Sequence, residues 1–176
     1  WTVEATETAE LAKRFIDATI RRHKINPKRL KLHADRGTSM TSKSVAQLLV
    51  DLGVDRSHSR PRVSNDNPYS EAAFKTLKYC PAFPTNFGSI HDTRVFCEQF
   101  FAYYNHEHRH SGIALHTPAS VHYGTAARIR AQRAATLDAA YATNPDRFRG
   151  RRPSPPELPT EAWINDPSRQ ALIQNN

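Results

Sequence analysis

Long apolar runs, cysteine and glycine are all scarce in this sequence. No apolar stretch approaches the roughly 18 residues that a membrane-spanning helix needs, so the chain is expected to stay out of a bilayer. No positively charged start leads into an apolar segment, which removes the pattern of a secretory signal and leaves the cytoplasm as the expected compartment. The two cysteines, Cys80 and Cys97, have neither metal-ligand nor redox-motif spacing, and both are expected to be buried packing residues. Met40 is the only methionine, so Trp1 follows no start codon and the chain is expected to begin inside something longer. Six glycines in 176 residues, with 38% hydrophobic and 24% charged content, describe a helix-rich globular protein. A chain of this length buries about 70% of its unfolded surface, enough for one real core.

Acidic charge is also short. Lysine and arginine number 25 against 17 aspartates and glutamates, a formal net charge of +8, of which +6 falls in residues 1–80. Such a surplus attracts polyanions and makes nucleic acid the leading partner; solubility alone is the plainer reading of the same charge.

What is present is mostly helical periodicity. From Ala5 to His23 the apolar set Ala9, Ala12, Phe15, Ile16, Thr19 and Ile20 recurs every three or four residues, with Glu7 and Glu10 early and Arg21, Arg22 and Lys24 late, as the helix dipole favours. After Asn26-Pro27, Leu30 to His33 alternates as a short strand, and Asp35-Arg36-Gly37 is the turn that leaves it. Thr41 or Ser42 caps a second helix carrying Val45, Leu48, Leu49 and Leu52, stopped by Gly53. Val54 to Ser57 is a weak strand, and Ser59 to Asp66 reads as a mobile loop. Asn67-Pro68 opens a third helix with Glu71 one turn in. A long helix over Ser89 to Asn105 presents Ile90, Val95, Phe96, Phe100, Phe101 and Tyr104 as a core face; Thr117-Pro118 starts a short helix and Ala126 to Tyr141 a longer one. Arg149 to Pro156 is basic and proline-rich and is expected to be extended or disordered, with Trp163 and Ile164 the later anchors.

Metal-assisted phosphodiester chemistry requires two or three carboxylates converging on one point, with hard oxygen ligands suited to magnesium. Asp35 at a strand end and Glu71 in the opening turns of a helix, with 35 residues between them, are candidates for two of them. The plainer alternative for Glu71 is an exposed glutamate pairing with Lys75 four residues on. Lys75 and Lys78 share the face of Glu71 and would reach phosphates, or else form a solvated stripe. Arg60 and Arg62 are either a flexible phosphate clamp or part of a disordered loop. Five histidines between His106 and His122 invite a zinc reading, which no cysteine or carboxylate set at the usual spacing completes.

The surroundings of the two carboxylates resemble the integrase-core transposases of bacterial insertion sequences, DDE enzymes similar to retroviral integrases. His33-Ala34-Asp35-Arg36-Gly37, Met40-Thr41-Ser42, and Ser59 through Asn67 leading into Ser70-Glu71 and Phe74-Lys75-Thr76-Leu77-Lys78 look like the second-aspartate and glutamate blocks of that family, at its D-x35-E spacing. Tyr104-Asn105, Arg109-His110-Ser111-Gly112 and Thr117-Pro118 are similar to its closing block. The resemblance implies an α/β, ribonuclease H-like fold, helix-rich and incomplete at the amino end. Residues 1–124 would be a partial integrase catalytic core, 125–148 a helical extension and 149–176 a basic proline-rich tail. It also implies transposition or integration of DNA with two divalent metals, Mg2+ or alternatively Mn2+, with Asp35 and Glu71 as catalytic and metal-binding residues, and Lys75 and Lys78 on DNA, where Arg60 and Arg62 would add their clamp. His110 becomes a structural residue near a helix end. The family's first aspartate lies further upstream than this chain reaches, and Asp17, inside the helical run, does not replace it. Two functions stay open: an active catalytic subunit that draws a third carboxylate from an upstream transposase segment or subunit, and a remnant that binds transposon-end or target DNA, or homo-oligomerises, without cutting. A carboxylate-pair hydrolase acting on sugars is disfavoured by the positive charge.

Overall fold

The computed structural model describes residues 1–61 and 66–164. They fall into two compact units: residues 1–94 joined by Trp163 and Ile164, and Val95–Ala162.

The first unit is organised by a parallel crossover. Helix α1 (Ala9–Arg22) is capped by Thr8, whose hydroxyl accepts from the Leu11 amide at 3.2 Å. Strand β1 (Lys31–Ala34) leads through helix α2 (Lys43–Leu52) to strand β2 (Asp55–His58), which lies parallel to β1 with Lys31 opposite Asp55 and Ala34 opposite His58. Of the two hydroxyls that could cap α2, Ser42 does so, accepting from the Val45 amide at 3.3 Å. Gly53 ends the helix at φ 69°, a left-handed conformation that costs a residue with a Cβ far more than glycine. The apolar stripes of α1 and α2 then meet: Ile16, Ile20, Val45, Leu49 and Val54 are buried together, with Ala12, Ile25, Leu30, Leu32 and Met40 around them. Helix α3 (Pro68–Lys78) starts on its proline as expected but buries no side chain completely. Its Tyr69 hydroxyl donates to the Trp163 carbonyl at 3.0 Å, which makes Trp163 an anchor.

Helix α4 (Ile90–His106) begins in the first unit and continues into the second. Cys97 and Phe100 are buried, and Phe100 stacks on Phe96 and Tyr104 with ring centroids 6.3 and 5.7 Å apart. The core face expected of this helix is narrower than its full apolar set, because Ile90 and Val95 are exposed while the aromatic residues Phe96, Phe100, Phe101 and Tyr104 are buried or half-buried. Cys80, expected to be buried like Cys97, is only half-buried beyond the end of α3. Helix α5 (Pro118–His122) is capped by Thr117, and helix α6 (Ala126–Thr143) follows it. Arg133 of α6 donates to the carbonyls of Ala114 and Leu115 at 3.2 and 2.8 Å. Both of those residues have positive φ, so one guanidinium fixes a strained turn. After α6 comes a short 3-10 turn (Pro145–Phe148), and the proline-rich residues beyond it have no regular secondary structure but are pinned along the helix: Tyr141 donates to the Gly150 carbonyl at 3.1 Å and Arg152 pairs with Asp138 at 2.7 Å. Among the described residues no helix is long and apolar enough to cross a membrane.

Candidate active site

Asp35 is the first residue beyond β1, held by bonds to its main chain and side chain alike. Its carbonyl lies 3.0 Å from His58 Nδ1, which therefore donates, and its Oδ1 accepts from the Gly37 amide at 3.0 Å. A Cβ on Gly37 would lie 3.1 Å from Asp35 Oδ1 and 3.8 Å from Glu7 Oε1, so glycine keeps this turn close to two carboxylates. Glu7 in turn accepts from the buried Ser39 hydroxyl at 2.5 Å. Nothing in the spacing of the sequence pointed to Glu7, which reaches the Gly37 turn through its bond from Ser39.

Glu71 lies in the first turn of α3, its amide bonded to the Asn67 carbonyl at 3.2 Å. Glu71, Lys75 and Lys78 are all exposed, and no ion pair joins Glu71 to Lys75 among the described residues. Asp35 is exposed and likewise carries no ion pair among them. Both carboxylates are thus exposed, without a cationic partner among the described residues.

The strand end and the approach to α3 are tied together by His33 and Asp66, two residues that sequence reasoning did not assign. His33 Nε2 is 2.7 Å from the Asp66 carbonyl and Nδ1 is 2.8 Å from the Ser57 hydroxyl. A carbonyl only accepts, so Nε2 carries the proton and a neutral ring takes the Ser57 hydroxyl hydrogen on Nδ1. Asp66 is buried, and its carboxylate accepts from the Arg60 amide at 2.7 Å and from Nε and Nη2 of the Arg60 guanidinium at 2.9 Å each. That bidentate pair, first by its hydrogen bond and then by charge, holds the Arg60 pKa above its ordinary value. Arg60 is therefore committed to Asp66 through two of its nitrogens, while Arg62 lies outside the described residues. A signal for the tether was present in His33, two residues before Asp35, but its partner is 33 positions away.

Magnesium is commonly held by one or two carboxylates completed by water and phosphate oxygens. Two exposed carboxylates, one of which accepts a hydrogen bond from the Gly37 amide on Oδ1, fit that chemistry in kind for a single ion. No group of three or more His, Cys, Asp or Glu side chains converges among the described residues. The histidine-rich stretch instead packs ring on ring, with the His108 and His110 centroids 4.4 Å apart and His110 4.6 Å from Tyr104. His116 is buried, and among the described residues neither of its ring nitrogens has a hydrogen-bond partner. Burial, then the nearby charges of Arg133 and Arg109, lowers its pKa; burial followed by the neighbouring His108 lowers that of His110.

No curated protein matches the chain. The matched family span takes in Glu71, Lys75, Lys78, Ser57 and Asp66, whereas His33 and Asp35 lie outside it, Asp35 17 residues before its start. Residues 52–118 match the family described as an integrase core domain, and the small parallel sheet and helices of the described residues are compatible with a ribonuclease H-like fold.

Proposed function

We propose that this chain takes part in DNA strand transfer, the joining of transposon ends to target DNA, with Asp35 and Glu71 as the carboxylates that hold a divalent ion. The observation that carries the reading is Glu71 on α3 within the integrase-core match, exposed and unpaired, with Lys75 and Lys78 one and two turns further along the same face. Bound magnesium or manganese would supply activation of an attacking oxygen and neutralisation of phosphate charge. Asp35 and Glu71 would hold it, while Lys75 and Lys78 bind the flanking phosphates. His33, Ser57 and Asp66 keep the β1 end and the approach to α3 in register. His58 fixes the backbone from which Asp35 projects.

The test is joining of a labelled donor end to plasmid DNA with Mg2+ or Mn2+, alone and with a polypeptide carrying the first aspartate of such cores. The expected result is metal-dependent joining only in the mixture, abolished by Asp35→Asn or Glu71→Gln. A second reading, DNA binding without cutting, is favoured by the absence of a third converging ligand among the described residues. DNA retention with no joining in either mixture would establish it. Failure of the chain to bind duplex DNA at low salt would remove both.

A further inference from the structure

The stretch from Asn144 to Glu157 is fastened to α6 along its length. Arg152 pairs with Asp138, Tyr141 donates to the Gly150 carbonyl, and Arg130 reaches the Pro156 carbonyl at 3.3 Å and the Glu157 carboxylate at 3.2 Å. Pro155 is buried. The bend that starts this stretch is equally defined. After the short 3-10 turn Pro145–Phe148, Arg149 and Gly150 take φ of 52° and 70°, and the amides of Arg149, Gly150 and Arg151 bond back to the carbonyls of Asp146, Pro145 and Phe148 at 3.0 to 3.3 Å.

The arginines of this bend are divided in use. Arg152 is an anchor. Arg147, Arg149 and Arg151 are exposed, and no hydrogen bond or ion pair engages their side chains among the described residues. The one aromatic residue of the bend, Phe148, is turned onto Tyr141 with centroids 5.9 Å apart, so the bend offers charge without an apolar surface. Arginine side chains match phosphate oxygens through a planar fork of donors, and a backbone already fixed loses less conformational entropy on binding.

We infer that Arg147, Arg149 and Arg151 form a duplex-DNA contact on the second unit, a phosphate-backbone grip separate from Lys75 and Lys78. Three exposed arginines within five residues of one hydrogen-bonded bend gather positive charge, and a row of phosphates supplies several anions at once. The absence of an apolar patch argues against a protein partner or a membrane surface, where an anchor side chain would be required. Contacts of this kind position the duplex and carry no sequence information. The inference rests on the reading that the chain handles DNA.

The experiment measures affinity of the full chain for a labelled random-sequence duplex by fluorescence anisotropy across a series of KCl concentrations. Each phosphate contact contributes a slope of about 0.9 in log K against log salt, so Arg147→Gln, Arg149→Gly and Arg151→Gln together should lower the slope by up to about 2.7, or several hundred-fold in affinity near 0.1 M salt. Arg149→Gly alone keeps the left-handed bend, since glycine suits that φ, and should lower the slope by about 0.9. A control with the same charge loss, Arg14→Gln, Arg22→Gln and Lys28→Gln, should change it much less. Equal effects from the control would overturn the inference, as would no effect from the three arginine changes while Lys75→Ala and Lys78→Ala weaken binding. Tighter binding to an RNA duplex, lost with the same arginines, would overturn DNA as the partner. Absence of any salt-sensitive binding by the unaltered chain would instead overturn the function proposed above.

Discussion

Replacing His33 by alanine removes the link between the end of β1 and the approach to α3, and its consequences can be followed bond by bond. Two hydrogen bonds of 2.7 and 2.8 Å are lost, to the Asp66 carbonyl and the Ser57 hydroxyl. A typical intramolecular hydrogen bond contributes about 0.5–1.5 kcal/mol net, so the pair predicts a loss of about 1–3 kcal/mol. The upper half of that range is favoured because both bonds are partly buried and a stranded carbonyl must find water. At a urea dependence of about 2 kcal/mol per molar, the unfolding midpoint of the first unit should fall by about 0.5–1.5 M. Local opening gives a second readout. The Arg60 amide, bonded to Asp66 at 2.7 Å, and the Glu71 amide, bonded to Asn67, should exchange with solvent faster, while the Val54 amide, bonded to Leu49 at 2.8 Å in the core, should gain only the global change. A midpoint within about 0.2 M of the unaltered protein, with unchanged exchange at Arg60 and Glu71, would show that His33 does not hold the two segments together.

Other outcomes follow from the same structure. Leu49→Ala, at a side chain only 2% exposed in the centre of the α1–α2 core, should cost about 2–5 kcal/mol in equilibrium unfolding; a loss under about 1 kcal/mol would mean that the core is not packed as described. The second unit should lose stability on acidification. His110 and His116 are held below their ordinary pKa in the folded state, so the unfolded chain binds more protons as pH falls through its value near 6.5. Melting temperature should therefore drop between pH 7.5 and pH 5.5, less so in His116→Phe; an identical pH profile in that variant would remove His116 as a cause. Cys97, buried and with its thiol pushed up by desolvation, should react with a thiol reagent well after the half-buried Cys80, and simultaneous labelling would contradict this packing.

Local chemistry made much of this fold legible before any coordinates. Ser42, Gly53 and Asn67-Pro68 act at helix ends through their own side chains or φ angles, and their roles need no distant partner. The apolar stripes of α1 and α2 were equally clear, because each is written in a period of three to four residues. What stayed hidden depends on residues that meet only after folding. The Ser59–Asp66 stretch, read as a mobile loop, holds a bidentate Arg60–Asp66 pair at its described ends, and nothing in these eight residues of sequence distinguishes that pair from solvated charges. Glu7 meets the Gly37 turn and the Ser39 hydroxyl across 30 positions of sequence or more, and Arg133 clamps Ala114 and Leu115 from a helix that shows no apolar stripe to predict its orientation. Likewise the proline-rich segment could be read as extended from its composition, whereas its fastening by Arg130, Tyr141 and Asp138 could not.

The shared-ion role of Asp35 and Glu71 is tested most directly by anomalous scattering from crystals of the full chain grown with Mn2+ and a short duplex carrying a donor end. A manganese peak within about 2.0–2.3 Å of an oxygen from each carboxylate, absent in Glu71→Gln crystals grown the same way, is the predicted result. Well-ordered Asp35 and Glu71 side chains turned to separate surfaces, with no manganese shared between them at saturating concentration, would contradict it.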